Sequence, residues 1–206
     1  MKFSATLSAG LALAGLGVAA PLSRRDGKTA AQIIGEISPN SLTCSGAPEC
    51  RTNEQVAPYF VKAMNQYGLG SPGQIAAVLA LTAYESVDYK YKHNVSPGRP
   101  GQGTSNMQML SFNIEYAQSI TALKEKVAAI AAPASAPDKV LDLLTDDEYN
   151  FGSGPWFLKN KCAPSVADGL AQATDAAFDA YMACVGVSTT PERKAYWTRA
   201  KTAFGL

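Results

Sequence analysis

The chain has 206 residues, of which 47% are hydrophobic, and its formal net charge at pH 7 is +1. This length predicts one domain of ordinary size with enough apolar residues for a buried core. The near-zero charge argues against nucleic acid as a partner, because phosphate binding needs a basic surface. With His93 as the single histidine, the sequence argues against histidine-based triads and most zinc sites, so we expect no metal and no cofactor.

The first 20 residues have the pattern of a secretory signal peptide. A short basic start precedes a small apolar run, and Val18-Ala19-Ala20 forms a small-residue cleavage site. The run is too short to span a membrane, so no membrane partner is expected. Residues 21–25 form a short pro-segment that ends in the dibasic pair Arg24-Arg25, which is typical of a Kex-type processing site in the fungal secretory pathway, or is simply a basic linker. We therefore predict a secreted, extracellular protein with a single domain over residues 26–206.

The cysteines agree with this secretory prediction. Four cysteines in a secreted chain predict two disulfides, for which three pairings exist. We favour Cys44–Cys50, which closes a short loop, and Cys162–Cys184, which ties a loop to the end of a helix.

The hydrophobic spacing predicts a mainly α domain. Apolar residues recur at helical intervals in residues 28–37, 54–67, 71–86, 111–131, 138–144, 165–184 and 190–203. Pro58 would either begin the second of these helices or kink it. No stretch predicts a strand of normal length, and residues 87–110 have the Gly, Pro, Ser and Asn content of a loop.

The helix over residues 71–86 is the most buried element that the sequence predicts. Ser71 is suited to be its N-cap and Pro72 its first residue. Residues 75–81 are almost entirely apolar, which is typical of a helix inside a core. The apolar run ends at Glu85-Ser86, so one carboxyl group lies where a buried helix meets a polar loop. Apolar surroundings would let Glu85 keep a proton and donate it to a leaving oxygen; alternatively, it is only a solvated residue that ends a core helix.

Four motifs follow one another in an order known from one enzyme family. Glu85-Ser86 is followed by Asn94-Val95-Ser96-Pro97, by Met107-Gln108, and by Tyr149-Asn150 with Gly152 and Gly154. This set resembles the goose-type lysozyme and soluble lytic transglycosylase superfamily over roughly residues 72–156. Asn106 departs from the pattern, because the family usually has Gly or Leu there. The resemblance implies a lysozyme-like single domain with an irregular loop and a small β region at its site.

The resemblance also implies that Glu85 is the general acid of a glycosidase. Glycoside hydrolysis usually needs a second carboxylate, for which Asp88 is our first candidate and Glu115 and residues 146–148 are alternatives. Residues 89–114 contain no acid, so a reaction with one carboxylate, in which the sugar's own 6-hydroxyl attacks, stays open.

Amide and aromatic side chains complete the predicted site. Gln108 and Asn150 can both donate to and accept from sugar hydroxyl and acetamido groups, although Gln108 could instead brace its own loop. Tyr149 is expected beside Glu85, and Tyr84 and Trp156 are expected to line a groove.

These residues lead to a functional expectation with two alternatives. We expect a monomeric, secreted glycosidase, similar to lysozyme (a muramidase) or to a lytic transglycosylase, that cleaves β-1,4 bonds of cell-wall peptidoglycan or, second, of chitin. One alternative is a non-catalytic protein or secreted effector of lysozyme-like fold that binds cell-wall polysaccharide or chitin oligomers. The other is a small structural secreted protein without a saccharide ligand.

Overall fold

The computed structural model describes residue 22, residues 24–25 and residues 27–206. The predicted signal peptide over residues 1–20 lies outside the described residues, as do residues 21 and 23 of the predicted pro-segment. None of the helices in the described ranges combines the length and the hydropathy that crossing a membrane requires.

Helices dominate the described residues, so the prediction of a mainly α domain is confirmed. Their bounds are α1 (Ala30–Ile37), α2 (Asn53–Gln66), α3 (Pro72–Glu85), α4 (Leu110–Ser119), α5 (Thr121–Ala128), α6 (Pro137–Asp142), α7 (Asp147–Asn150), α8 (Ser153–Lys161), α9 (Pro164–Gly169), α10 (Asp175–Val185) and α11 (Pro191–Phe204). Short 3₁₀ turns cover Pro39–Leu42, Pro133–Ser135 and Leu170–Gln172. Two-residue strands, β1 (Arg24–Arg25) and β2 (Lys28–Thr29), pair antiparallel.

Helix α3 forms the centre of the core. It starts with a capping box, in which the Ser71 hydroxyl accepts a hydrogen bond from the Gln74 backbone N–H and the Gln74 side chain accepts one from the Ser71 backbone N–H. Every residue from Ile75 to Ala83 is buried. Helix α11 packs along α3, and α1 packs against both α2 and α11. The apolar run therefore becomes an internal helix that ends at Glu85, as the sequence predicts.

Helix α2 runs through Pro58 without a break. The proline lacks the N–H that would bond to the carbonyl of Glu54 four residues earlier. Both residues are exposed on the solvent side of the helix, where water can bond to the free carbonyl. The cost of the proline is therefore low, and the helix starts at Asn53 rather than at Pro58.

The helix predicted over residues 111–131 is two helices, α4 and α5. They meet at Ile120, whose backbone is extended (φ −91°, ψ 114°). Just before this break, the Ser119 hydroxyl donates to the Tyr116 carbonyl at 2.7 Å. Such a side-chain bond competes with the helical hydrogen bonds and favours an end to the helix.

The helix predicted over residues 165–184 is also divided, into α9 and α10. After a 3₁₀ turn, Ala173 takes a left-handed conformation with φ 51°. Thr174 then caps α10, and its hydroxyl accepts from the Ala177 backbone N–H. A threonine in the middle of an alanine-rich stretch is therefore a new N-cap here.

Two disulfides join the pairs that the sequence analysis favours. Cys44 and Cys50 close the loop before α2, and Cys162 at the end of α8 joins Cys184 in α10. By the loop-entropy relation, the second bridge stabilises the fold by about 3 kcal/mol, because it closes the longer loop.

Candidate ligand-binding cleft

Glu85, the last residue of α3, lies in the wall of a surface cleft with two halves. The inner cleft, of about 170 Å³, passes between the loop over residues 99–109 and the α10–α11 connection at residues 185–187. The outer cleft, of about 220 Å³, runs along residues 91–96. Glu85, Gln102 and Met107 line both halves. The carboxyl group thus stands where the two halves adjoin.

Apolar side chains form much of the inner cleft. Phe112 and Phe157 meet edge to face, with their ring centroids 4.9 Å apart. The apolar lining of the inner cleft consists of Met107, Met109, Phe112, Phe157, Val185 and Val187. Met109 is among the few large apolar side chains that are well exposed, at 44%. This lining suits the apolar part of a ligand.

A series of buried amides forms the polar side of the inner cleft. The Asn113 side chain donates to the Gly101 carbonyl at 2.7 Å, and the Gln108 side chain donates to Asn113 Oδ1 at 2.8 Å. Asn106 Nδ2 in turn lies 3.5 Å from Gln108 Oε1. Asn106 is 2% exposed, and its Oδ1 atom has no hydrogen-bond partner among the described residues. The series ends in a free acceptor on a residue that lines the cleft.

Glu85 forms an ion pair with Arg193 of α11. Its Oε1 atom accepts from Arg193 Nη2 at 2.8 Å and from Arg193 Nε at 3.3 Å. No described residue donates to Oε2. The guanidinium also lies over the Tyr84 ring, 4.6 Å from its centroid. A guanidinium therefore faces the carboxyl group that the sequence predicts to be a proton donor.

Asp88, the predicted second carboxylate, faces a different part of the molecule. It is 5% exposed and accepts hydrogen bonds from the Ser38 hydroxyl, from Asn40 Nδ2 at 2.8 Å and from the Tyr196 hydroxyl at 3.0 Å. These bonds tie the segment after α1 to α11. Burial first, and then the charge of Asp88, raise the pKa of Tyr196 to about 12.

The backbone explains why Asp88 does not face the cleft. Val87, Asp88 and Tyr89 all have left-handed φ angles, of 53°, 58° and 62°. Three such residues in a row are costly and reverse the direction of the chain directly after α3. Asp88 would lie about one turn beyond Glu85 if the helix continued, and the left-handed residues remove that geometry.

The other predicted site residues divide between cleft and core. Gln108 lines the inner cleft, but its amide braces the loop, which is the alternative that the sequence left open. Tyr84 packs edge to face on Tyr196. Trp156 is 4% exposed and packs against Tyr116. The predicted groove contacts of Tyr84 and Trp156 are thus replaced by packing contacts.

Tyr149 and Asn150 lie behind the cleft rather than in it. The Tyr149 carbonyl accepts from the Tyr116 hydroxyl at 2.9 Å. Asn150 is 1% exposed, and its carbonyl accepts from the hydroxyls of Ser105 and Ser153. Asn150 therefore supports the loop that contains Asn106, whereas Tyr149 is joined to Tyr116 of α4. Glu85 and Gln108 both line the inner cleft, and Tyr149 and Asn150 line neither half of it.

Sequence reasoning missed Arg193, which pairs with Glu85, and the position of Asn106 in the cleft lining. Arg193 lies 108 residues after Glu85, on a helix whose charges give no sign of a buried partner. Asn106 was noted only as a departure from the lysozyme pattern. Within the described part of the chain, no three His, Cys, Asp or Glu side chains are grouped so that they could hold a metal ion.

One curated protein gives the chain a relative. Over 157 residues, the chain is 48% identical to a protein of Fusarium oxysporum (strain Fo5176) named bifunctional dioxygenase (DOX)-epoxy alcohol synthase (EAS). The match covers 74% of this chain and 12% of the relative, so the chain corresponds to about an eighth of the relative's length. No protein-family model matches the chain. No solved structure matches it.

This relative contradicts the function predicted from the sequence. Its name describes oxidation and epoxy alcohol formation, whereas the prediction was a lysozyme-like hydrolase that cleaves a cell-wall polymer. The glycosidase prediction, with its muramidase and peptidoglycan assignments, is therefore wrong. The geometry gives a physical reason: Glu85 is paired with Arg193, and Asp88 is directed into a separate hydrogen-bond cluster. Secretion, a monomeric state and the domain limits stay predictions.

Proposed function

We propose that the chain is a binding module whose cleft holds an amphipathic alcohol, that is, a small molecule with a hydroxyl group beside an apolar part. One observation supports this more than any other. Glu85 Oε2 is an acceptor without a described donor, and Glu85 lines the inner cleft together with its apolar side chains. A ligand that donates a hydrogen bond and covers apolar surface complements both features.

The energetics favour a hydroxyl donor. A hydrogen bond from a ligand hydroxyl to the charged Glu85 carboxylate contributes about 1.5–3 kcal/mol. Burial of the ligand's apolar part adds about 25 cal/mol for each Å² removed from water. The inner cleft, at about 170 Å³, has room for a group of roughly six water volumes. A larger ligand would extend past Glu85 into the outer cleft.

The relative suggests which alcohol to test first. Its printed name includes an epoxy alcohol synthase activity, so the whole relative makes molecules of this class. We propose that this chain is the counterpart of a segment that binds such a molecule, as a substrate, product or carried ligand. An epoxy alcohol combines a hydroxyl donor with an apolar body and thus fits the cleft chemistry.

We also propose a lysozyme-like fold for the domain, independently of any activity. Three features support it: a glutamate at the end of a buried helix, a small irregular β region made by the bridges His93–Gly103 and Gly103–Gln108, and a Gly-rich turn packed on α3. A Cβ atom on Gly154 would approach Thr82 Cγ2 to 2.8 Å, so this turn needs glycine there. Fold does not determine function, and the site chemistry is a separate question. An experimental structure whose helices do not superpose on lysozyme-like domains would contradict this proposal.

Secretion remains part of the proposal. Both disulfides suit an oxidising compartment. Expression in a secreting host, followed by N-terminal sequencing of the protein in the medium, tests it. A product that stays inside the cell with its leader intact would contradict it.

Calorimetric titration tests the binding function. The probe is a medium-chain epoxy alcohol, and its matched control is the methyl ether of the same compound, which keeps the shape but cannot donate. We expect saturable binding of the alcohol, about tenfold tighter than that of the ether, because a hydrogen bond to a charged acceptor contributes about 1.5–3 kcal/mol. Equal affinity for alcohol and ether would overturn the proposal, and so would preferential binding of an N-acetylglucosamine oligomer.

A further inference from the structure

We propose that Arg193 determines the ligand preference of the cleft, and this rests on the proposed function. Arg193 supplies the counter-charge of Glu85 from outside the cleft. The free carboxylate oxygen can then accept from a neutral hydroxyl, whereas without Arg193 the same carboxylate would select a cationic amine. Arg193 is thus a positioning and specificity residue that need not touch the ligand.

The ion pair between Arg193 and Glu85 engages one carboxylate oxygen only. Two arginine nitrogens usually bind the two oxygens of a carboxylate side by side. Here both Nη2 and Nε of Arg193 donate to one oxygen, Oε1 of Glu85, at 2.8 and 3.3 Å. The second oxygen keeps its capacity to accept. The ion pair therefore occupies Oε1 of Glu85, and Oε2, to which no described residue donates, belongs to a residue that lines both halves of the cleft.

Arg193 is fixed in place by further contacts. Its Nη1 atom donates to the Ser188 carbonyl at 3.2 Å, and its guanidinium stacks on the face of Tyr84. The side chain is 14% exposed and lines neither half of the cleft. A cation held in this way cannot swing into the cleft and compete with a ligand.

The other cations near the cleft do not compensate the charge of Glu85. Arg99 lines the inner cleft from an exposed loop, where solvent and salt screen its charge. The ring of His93 contacts Glu49 at 2.8 Å, and buried Lys92 binds Asp147 at 2.6 Å. Among the described residues, Arg193 is therefore the cation that forms an ion pair with Glu85.

The experiment compares two ligands across a set of variants. The ligands are the medium-chain epoxy alcohol and the matched amine, in which an ammonium group replaces the hydroxyl. Wild type is expected to bind the alcohol more tightly. Arg193→Gln should shift the alcohol-to-amine affinity ratio about tenfold towards the amine, and Arg193→Lys should restore most of the wild-type ratio. Lys194→Gln is the matched control, since it removes the same charge from the next residue, which pairs with exposed Asp175 away from the cleft.

Each outcome decides between the two proposals. If wild type binds neither ligand, the proposed function is overturned and this inference falls with it. If wild type binds the alcohol and Arg193→Gln keeps the wild-type ratio, this inference is overturned while the binding function stands. If Arg193→Gln does not fold, Glu85→Gln replaces it: the loss of the carboxylate charge should move the ratio further away from the amine, and an unchanged ratio overturns the inference.

Discussion

Two carboxyl groups, three residues apart, show how differently the chain uses the end of one helix. Glu85 and Asp88 are both largely buried, and both bind a side chain of α11. Glu85 lines a cleft and receives a charged donor on one oxygen, while no described residue donates to the other. Asp88 receives three neutral donors, from Ser38, Asn40 and Tyr196, and both of its oxygens are occupied.

The difference teaches that burial and proximity do not identify a ligand-facing carboxylate. What separates the two residues is unused hydrogen-bonding capacity beside open space. Both oxygens of Asp88 accept hydrogen bonds that join α11 to the segment after α1, so its role is structural. Glu85 lines the cleft and accepts from Arg193 with one oxygen, and no described residue donates to its other oxygen. The comparison can be tested from both sides.

The largest effect is expected from removing the Asp88 carboxylate. Asp88→Ala leaves the hydroxyls of Ser38 and Tyr196 and the amide of Asn40 without their acceptor. Because each buried unpaired group costs about 1–3 kcal/mol, we expect the free energy of unfolding to fall by about 3 kcal/mol or more. Chemical denaturation followed by circular dichroism measures this change.

The matched control for Asp88→Ala is Glu85→Gln, which keeps an acceptor next to Arg193 and should cost less stability. Equal losses in the two variants would break the comparison between a structural and a ligand-facing carboxyl group. A stable Asp88→Ala protein, within about 0.5 kcal/mol of wild type as for an ordinary surface substitution, would also contradict it.

The sequence was most informative where structure is local. Ser71 and Gln74 form the capping box of α3 within four residues, and the apolar run that follows has only one stable placement, inside the core. Cys44 and Cys50 are close in the chain, so their pairing was favoured as well. Such features depend on neighbours that the sequence displays side by side.

The sequence was least informative where structure depends on distant residues. Asp88 binds partners 48, 50 and 108 residues away, and Glu85 binds one 108 residues away. Nothing local indicates that a left-handed run would separate these two carboxyl groups. Helix α8 was missed because Gly154 and Pro155 stand in its first turn, where they are tolerated but look like loop residues.

The functional prediction failed for a related reason. A glutamate at the end of a buried helix, followed by Gly- and Asn-rich segments, can match a short functional motif even when the matching residues only support the fold. Asn150 illustrates this. Its backbone carbonyl accepts from the hydroxyls of Ser105 and Ser153 and thereby supports the loop that contains Asn106. Motif order therefore predicted which segments come together better than it predicted what their side chains do.

A second prediction sharpens the ligand-facing side of the comparison. Asn106→Ala removes part of the inner cleft lining together with a buried acceptor, and it breaks only the long contact to Gln108. We expect the epoxy alcohol to bind about tenfold more weakly, with a smaller effect on stability. Titration calorimetry measures the binding, and Asn65→Ala, which removes an exposed amide of α2, is the control. Unchanged affinity in Asn106→Ala would show that the acceptor does not face the ligand.

The smallest effect concerns Asp88, the structural carboxyl group, and its partner Tyr196. It is measured as the dependence of the unfolding free energy on pH. Tyr196 has a folded-state pKa of about 12, above the ordinary value of 10.0, because of its burial and its bond to Asp88. The stability that goes with a raised pKa is fully present below about pH 10 and is lost as the pH rises towards 12. Tyr196→Phe removes this group, so the fall in unfolding free energy between pH 10 and 12 should be shallower than in wild type. Buried Tyr89, Tyr116 and Tyr181 also have raised pKa values, so part of the fall in unfolding free energy with pH remains in both proteins.

Denaturant titrations at several alkaline pH values measure the difference, and Tyr91→Phe, which removes a hydroxyl outside the Asp88 cluster, should leave the wild-type slope unchanged. Identical slopes for wild type and Tyr196→Phe would mean that Asp88 and Tyr196 are not coupled, and the contrast with Glu85 would then rest on the free cleft oxygen alone.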